Sequence, residues 1–148
     1  MKKFLIFIFI ISIAFVSCDS VYINGELDGM WQLRRVQYID RTLYPADEYP
    51  DATPQDIYYS FQQHLVLLGI MSEDSVPVRY LGNLEYKKMQ SVTIGGIRKF
   101  MQEEQAATLD DLRQFMLYDT LTIFEIIKLD DDILQMNSKG IQYTLRKW

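Results

Sequence analysis

Histidine and cysteine, two side chains that often serve as catalytic base or nucleophile, are scarce in this sequence. The 148 residues include one histidine, His64, and one cysteine, Cys18. A hydrolase needs a nucleophile, a base and an orienting group within hydrogen-bond reach, and the sequence has no Gly-x-Ser-x-Gly segment. His64 stands at the end of a short apolar segment, which is typical of a turn or rim residue. We therefore expect no catalytic residues and no enzymatic activity.

Groups of adjacent carboxylates are further candidates for chemistry, among them Glu103-Glu104, Asp110-Asp111 and Asp130 to Asp132. A calcium loop needs spaced oxygen ligands and a bidentate glutamate, which the aspartate triple does not supply. The triple is typical of a solvated turn. We expect no metal site and no cofactor.

The N-terminus predicts export. Lys2 and Lys3 precede an apolar run over residues 4–16, interrupted only by Ser12. Thirteen helical residues span about 20 Å, less than the ~30 Å hydrocarbon core of a bilayer. A basic start, a short apolar core and a small residue, Ser17, are typical of a secretory signal peptide.

Cys18 directly follows that signal. Val16-Ser17-Cys18 resembles the lipobox of bacterial lipoproteins, with Phe15 where that family most often has leucine. The resemblance implies a lipid on Cys18 that anchors the protein in the cell envelope, at a bacterial membrane and preferably the periplasmic or surface face of the outer membrane. The alternative is an ordinary signal peptide and a free thiol.

The predicted domains are therefore a signal peptide over residues 1–17, a lipidated tether over 18–26 and a folded domain over 27–148. Without Lys2 and Lys3, the exported part has 13 basic against 20 acidic side chains, a net charge near −7. This charge argues against nucleic-acid partners, which require clustered Lys and Arg.

In the folded domain, apolar and polar residues alternate as they do in an all-β protein, and one segment has the pattern of a short helix. Thr108 is a candidate N-cap for the helix, with Asp110 and Asp111 in its first turn. Apolar alternation predicts eight to ten antiparallel strands, over residues 30–39, 57–61, 65–70, 78–89, 90–101 (as a hairpin turning at Gly95-Gly96), 121–129, 133–138 and 141–148. Gly82-Asn83 is compatible with a bulge or with a turn. The segment from Asp40 to Gln55 contains three prolines and predicts a long loop.

Gly29-Met30-Trp31 opens the first predicted strand, and in this respect the chain resembles the lipocalins, in particular small lipocalin-like bacterial lipoproteins of unassigned function. The resemblance implies a closed β-barrel in which Trp31 packs at one end. It further implies that the loop over residues 40–55 folds over the other end. A basic residue of the last strand, Arg146, is expected to cover Trp31.

Period-2 counting from Trp31 sends a set of further side chains towards the barrel interior. The predicted ligand-binding residues are Arg35, Tyr59, Phe61, Tyr80 and Tyr86. An apolar cavity with one arginine suits a small amphipathic anion. Alternatively, these side chains fill the barrel and leave no cavity.

Two functions follow from these alternatives. The first is a membrane-tethered, non-enzymatic module that binds a small apolar or amphipathic molecule. The second is a protein–protein interaction or inhibitor module with a filled barrel, whose envelope partner meets the loop over residues 40–55. Tyr44 and Tyr49 favour the second, because aromatic side chains on exposed loops are common at interfaces.

Overall fold

The computed structural model describes residues 23–71, 76–102 and 105–148. Eight antiparallel strands form a closed barrel in which each strand pairs with its neighbours in sequence and β1 pairs with β8. The strands are β1 (Gly29–Tyr38), β2 (Ile57–Gln62), β3 (Leu65–Ile70), β4 (Val78–Lys87), β5 (Ser91–Lys99), β6 (Thr122–Leu129), β7 (Ile133–Ser138) and β8 (Ile141–Lys147). The predicted all-β barrel is confirmed.

The barrel has two ends of different construction. At the end where β1 begins, which we call the Trp31 end, a 3₁₀ helix (Gly25–Leu27) leads into β1, and β8 finishes beside it. At the opposite end, which we call the mouth, lie the loop over residues 39–56 and the connection between β5 and β6. That connection contains the single α-helix among the described residues, α1 (Leu109–Arg113).

Bulges adjust the register of three strand pairs. In β1, Leu33 faces Leu145 but Arg35 faces Thr144, so Arg34 is an extra residue. A second shift lies between Leu81 and Asn83, and a third lies between Ile126 and Lys128. A bulge changes which side chains face inward, because side chains in a strand alternate with period two.

The second bulge corrects one prediction and decides another. Gly95 and Gly96 do not form a hairpin turn; they lie within the continuous strand β5, where Gly96 has a φ of +59°. Gly82-Asn83 lies within the single strand β4. An extra residue in an antiparallel pair is accommodated by a positive φ, which glycine adopts without steric cost.

Local sequence signals account for the remaining elements. Thr108 caps α1 in a capping box, since its hydroxyl accepts from the Asp111 amide and the Asp111 carboxylate accepts from the Thr108 amide. The last three predicted strands are confirmed, and they form two consecutive hairpins. In the β6–β7 turn, the Asp130 carboxylate accepts hydrogen bonds from the amides of Asp132 and Ile133.

Several predictions concern residues that the structure does not describe. The signal peptide, Cys18 and the tether up to residue 22 lie outside the described ranges, as does Glu103-Glu104. Within the described ranges, no helix has the length and apolar character that a membrane span requires.

Candidate functional site

The mouth of the barrel is covered by the connection between β5 and β6. Its segment from α1 to Tyr118 turns apolar side chains into the barrel, and Leu112, Phe115 and Leu117 are at most 1% exposed. The ring of Phe115 packs edge-on against Tyr80 at 5.4 Å between centroids. We call residues 109–118 the plug.

Tyrosines of the barrel wall hold the plug by hydrogen bonds. The Tyr59 hydroxyl donates to the Phe115 carbonyl at 2.5 Å, and the Tyr143 hydroxyl donates to the Met116 carbonyl at 2.8 Å. The Tyr80 hydroxyl donates to the Asp111 carboxylate at 2.7 Å. The two bonds to backbone carbonyls satisfy groups inside the barrel mouth, where leaving a buried polar group unpaired would cost about 1–3 kcal/mol.

Burial keeps these phenols protonated. It raises the pKa of Tyr59 and of Tyr143 well above the ordinary value, and burial followed by the bond to Asp111 raises the pKa of Tyr80 to about 12. The three hydroxyls therefore act as neutral donors that fix the plug, and none is poised as a general base near neutral pH.

The loop over residues 39–56, which we call the lid, closes over the plug through a cluster of tyrosines. Every pair of ring centroids within the cluster lies 5.3–6.3 Å apart. The cluster consists of Tyr38, Tyr44, Tyr49 and Tyr118. Such separations are those of rings in mutual contact, so the four rings pack on one another and do not form an open cage.

Backbone and charged contacts fix the lid further. Val36 and Ala52 exchange two backbone hydrogen bonds of 2.8 and 2.9 Å, which adds a short bridge to β1. The Arg41 guanidinium lies 2.6 Å from the Asp51 carboxylate and donates to the Tyr49 carbonyl. The predicted long loop is therefore an ordered layer over the mouth.

A cleft remains between the lid and the plug. It has a volume of about 580 Å³ and is open to solvent. Its lining is aromatic, with one cation and one anion, and includes Tyr38, Glu48, Tyr49, Arg113, Met116 and Tyr118. The hydroxyls of two lining residues, Tyr38 and Tyr118, share a hydrogen bond.

At the Trp31 end, the tryptophan is fully buried and donates from Nε1 to the Leu27 carbonyl at 2.8 Å. The Nζ of Lys147 lies 4.9 Å from the centroid of its ring. The expectation that Arg146 covers Trp31 is wrong. Ile141, Tyr143 and Leu145 point inward along β8, so period two sends Lys147 inward and leaves Arg146 exposed.

Comparison with known proteins agrees with this geometry. The sequence model of the lipocalin-like domain matches residues 13–148. The chain belongs to the lipocalin-like family. A search of curated proteins found no significant match for this lipocalin-like protein.

Two solved structures resemble the lipocalin-like chain in fold. One is a lipocalin-like protein from Bacteroides uniformis ATCC 8492, with 21% identity, a TM-score of 0.62, and coverage of 84% of this chain and 100% of that one. The other is an uncharacterized protein from Bacteroides eggerthii DSM 20697, with 21% identity, a TM-score of 0.61, and coverage of 82% and 99%. At this identity the likeness shows the fold alone.

The predicted ligand-binding residues of this lipocalin-like protein are not brought together in one cavity. Arg35 points outward and is exposed, so its predicted inward direction is wrong; the bulge at Arg34 reverses the alternation, and Val36 and Tyr38 turn inward instead. Tyr59, Phe61 and Tyr80 are buried in the core. Tyr86 is half-buried at the rim of the Trp31 end.

Side chains fill the interior of the lipocalin-like barrel. The largest fully buried residues include Trp31, Tyr59, Tyr143, Phe61, Phe115 and Phe124. The solvent-open clefts beside Phe100, beside Ile23 and beside Tyr49 are not lined by Trp31, Tyr59 or Phe61. The plug explains this filling, because Phe115 and Leu117 occupy space that the barrel wall alone would leave empty.

No metal centre is evident in the described part of the chain, since no three His, Cys, Asp or Glu side chains there lie close enough together. His64 is exposed in the turn between β2 and β3. The Asp130 carboxylate pairs with the Lys128 amine at 2.8 Å. The bond from Lys128, followed by the turn amides of Asp132 and Ile133, lowers the pKa of Asp130 to about 2.

Proposed function

We propose that this lipocalin-like protein is a non-enzymatic, membrane-tethered module that binds another protein of the cell envelope through the mouth of its barrel. The observation that supports this proposal best is the filled mouth. Phe115 is fully buried in the plug, and Tyr59 and Tyr143 hydrogen-bond the plug backbone. A ligand inside the barrel would have to displace these groups, whereas a protein can bind the outer surface as it stands.

The lid offers such a surface. Leu43 is 62% exposed beside half-buried Tyr44 and Tyr49, and Asp47 and Glu48 are exposed next to them. Interfaces are enriched in tyrosine, and a surface that is already ordered loses little conformational entropy on binding. The tyrosine cluster and the Arg41–Asp51 pair supply that order.

The tether belongs to the same proposal. Val16-Ser17-Cys18 at the end of a signal-like segment supports acylation of Cys18 and residence at a bacterial membrane, on the periplasmic or surface face of the outer membrane. Several acyl chains provide stable anchoring where one does not. A tethered module of this kind meets its partner within the envelope.

Crosslinking in cells, followed by purification, tests the proposed interface. Leu43→Asp changes the lid surface and leaves the packed tyrosines in place. Ile127→Asp, on the outer face of β6 with 49% exposure, is the matched control. We expect Leu43→Asp to lose a crosslinked envelope protein that wild type and Ile127→Asp retain. An identical set of crosslinked proteins in all three would exclude the lid as the interface.

A second candidate function is the binding of a small amphipathic anion in the cleft between lid and plug. The cleft volume of about 580 Å³ lies within the range of small-molecule sites, which runs from about 300 to 1,000 Å³. Arg113 at its edge would meet an anionic group, and Tyr49 and Met116 would meet an apolar part. In this candidate site Arg113 has the role, contact with an anionic ligand group, that the sequence predicted for Arg35.

Native mass spectrometry of protein purified from its own envelope tests the second candidate. Arg113→Ala should reduce the occupancy of any co-purified anion. Arg79→Ala, which alters a different cleft, should leave the occupancy unchanged. If no small molecule accompanies the wild-type protein, the cleft is not its binding site.

A further inference from the structure

The chain enters the barrel along a fixed path at the Trp31 end. Asn24 is only 7% exposed, and its amide nitrogen Nδ2 donates to the Asp28 carboxylate and to the Gln63 carbonyl, both at 2.7 Å. Its backbone amide donates to the second Asp28 carboxylate oxygen at 3.1 Å. The position of Ile23 relative to the barrel is therefore set by hydrogen bonds.

Five residue steps separate Ile23 from Cys18, which corresponds to at most about 18 Å of chain. An acylated Cys18 would thus hold the Trp31 end close to the bilayer. We propose that the Trp31 end is the membrane-facing surface and that the turn between β4 and β5 contacts phospholipid head groups. This inference rests on the acylation of Cys18 proposed above.

The surface around Ile23 suits such a contact. A cleft of about 760 Å³ opens there, lined by Ile23, Glu26, His64, Tyr86, Lys88 and Met89 among others. Ile23 and Met89 are 51% and 52% exposed. Apolar side chains of this kind enter the boundary between head groups and acyl chains, and neighbouring amines attract lipid phosphates.

The turn itself is built to present these side chains. The Gln90 amide donates to the Lys87 carbonyl at 2.9 Å, and the Met89 amide donates to the Tyr86 hydroxyl at 3.2 Å. Met89 has a φ of +56°. The tight turn places Lys87, Lys88 and Met89 at its exposed tip.

The Trp31 end carries charges of both signs, and these determine which kind of lipid surface it can contact. Glu26 and Glu85 also line the cleft, and the Asp130 to Asp132 turn lies at the same end of the barrel. The end therefore lacks the single-sign basic patch that binds anionic lipids without an anchor. The contact fits a zwitterionic phospholipid surface and depends on the acyl chains.

This orientation has a consequence for the mouth. A ten-residue strand such as β1 is about 33 Å long, and a tilt of about 40° reduces its rise along the barrel axis to about 25 Å. The lid and its tyrosine cluster then project from the membrane by about the height of the barrel, where an envelope protein can reach them.

Fluorescence quenching in vesicles tests the orientation. The acylated full chain carrying Trp148→Phe is reconstituted into phosphatidylcholine vesicles that contain brominated phosphatidylcholine. Met89→Trp places a reporter at the proposed contact, and Leu43→Trp places one on the lid, where the side chain is 62% exposed. Trp31 is fully buried in both variants and contributes the same background.

We expect Met89→Trp to lose several-fold more of its reporter emission than Leu43→Trp. Ile23→Trp serves as a second reporter if Met89→Trp does not fold. Equal quenching at both ends, or stronger quenching of Leu43→Trp, in an acylated chain that sediments with vesicles would overturn the orientation alone. A wild-type chain without acyl groups would overturn the tether and the orientation together.

Discussion

Lys147 and Trp31 lie directly opposite each other in the β1–β8 ladder, and the lysine Nζ lies 4.9 Å from the tryptophan ring centroid. The same amine donates to the Glu26 carbonyl at 2.8 Å. Gly29 leaves space for it, because a Cβ at Gly29 would lie 3.1 Å from the lysine Cε. The Gly-x-Trp segment and the last strand therefore form one unit that joins both termini of the barrel.

Lys147→Ala should destabilise the protein by about 1 kcal/mol, since it removes a cation–π contact and the packing of the lysine stem. Arg146→Ala is the control on the neighbouring exposed residue and should change stability by less than about 0.5 kcal/mol. Urea unfolding measures both values. A larger effect for Arg146→Ala would contradict the geometry at the Trp31 end.

Phe115→Ala should lower the free energy of unfolding by about 3–5 kcal/mol, because it leaves a cavity where the plug fills the barrel. Phe100→Ala alters the same connection at a ring that is 41% exposed and should cost much less. Thermal and urea unfolding give the comparison. Similar losses for the two variants would mean that Phe115 does not fill the mouth.

Asp111→Ala should destabilise the protein by about 1–2 kcal/mol, because the carboxylate completes the capping box of α1 and accepts from Tyr80. Asp110→Ala removes only an exposed pair with Arg113 and should cost about 0.5 kcal/mol or less. Calorimetry of the two variants distinguishes the roles. If the two losses are equal, Asp111 does not anchor the plug.

The contribution of the Asp111 carboxylate to stability should depend on pH in the acid range. The Thr108 amide, followed by the Tyr80 hydroxyl, holds the pKa of Asp111 below its ordinary value of 3.8. A group whose pKa is lower in the folded state contributes stability above its unfolded pKa and loses that contribution as the pH falls through the folded value. The wild-type advantage over Asp111→Ala should therefore shrink below pH 3.8.

Stability should also fall in alkaline solution. Burial raises the pKa of Tyr59 and Tyr143 above the ordinary value of 10.0. Above pH 10 the unfolded chain releases phenolic protons that the folded chain retains, so the free energy of unfolding falls by about 1.4 kcal/mol per pH unit for each buried tyrosine. Urea midpoints measured between pH 8 and 11 should decline only above about 10.

In that alkaline experiment Tyr59→Phe is the informative variant. It should show a shallower decline than wild type, although it is less stable at neutral pH because the Phe115 carbonyl loses its partner. Absorbance of phenolate, followed in parallel, reports how many tyrosines titrate before unfolding. A full complement of tyrosines that titrates near pH 10 in the folded protein would contradict their burial.

Cys18→Ser should release the protein from the membrane fraction, because the acyl chains are proposed to supply the membrane affinity. The folded domain should be unaffected, since β1 begins eleven residues later at Gly29. Metabolic labelling with a fatty-acid analogue and membrane fractionation measure the effect. An unlabelled wild-type chain, or a serine variant that still sediments with membranes, would refute acylation.

Much of the fold could be predicted from local sequence alone. Thr108 with Asp111 predicted the start of α1, the aspartate triple predicted the β6–β7 turn, and the prolines predicted the loop that forms the lid. These signals work because capping, turn formation and the missing proline amide act within a few residues. The Gly-x-Trp segment predicted the lipocalin-like family, and the family resemblance in turn predicted that the barrel is closed.

The direction of individual side chains depended on pairing between distant strands. Period two predicts the facing of Arg35 only if β1 has no bulge, and the bulge is defined against β8, more than a hundred residues later. Gly95-Gly96 reads locally as a turn, yet pairing with β4 makes it a bulge. The inward direction of Lys147, in contrast, follows from the alternation within β8 alone, counted from its buried residues.

The content of the barrel was likewise decided by tertiary structure. The aromatic set was compatible with a lined cavity or with a filled interior, because alternation assigns a side chain to the inside without saying what else lies there. Phe115 belongs to a connection with no strand period, and its burial follows from hydrogen bonds between the plug backbone and tyrosines of β2 and β8. Local sequence determined most of the strands and the helix, and long-range packing determined that the plug occupies the mouth of the barrel.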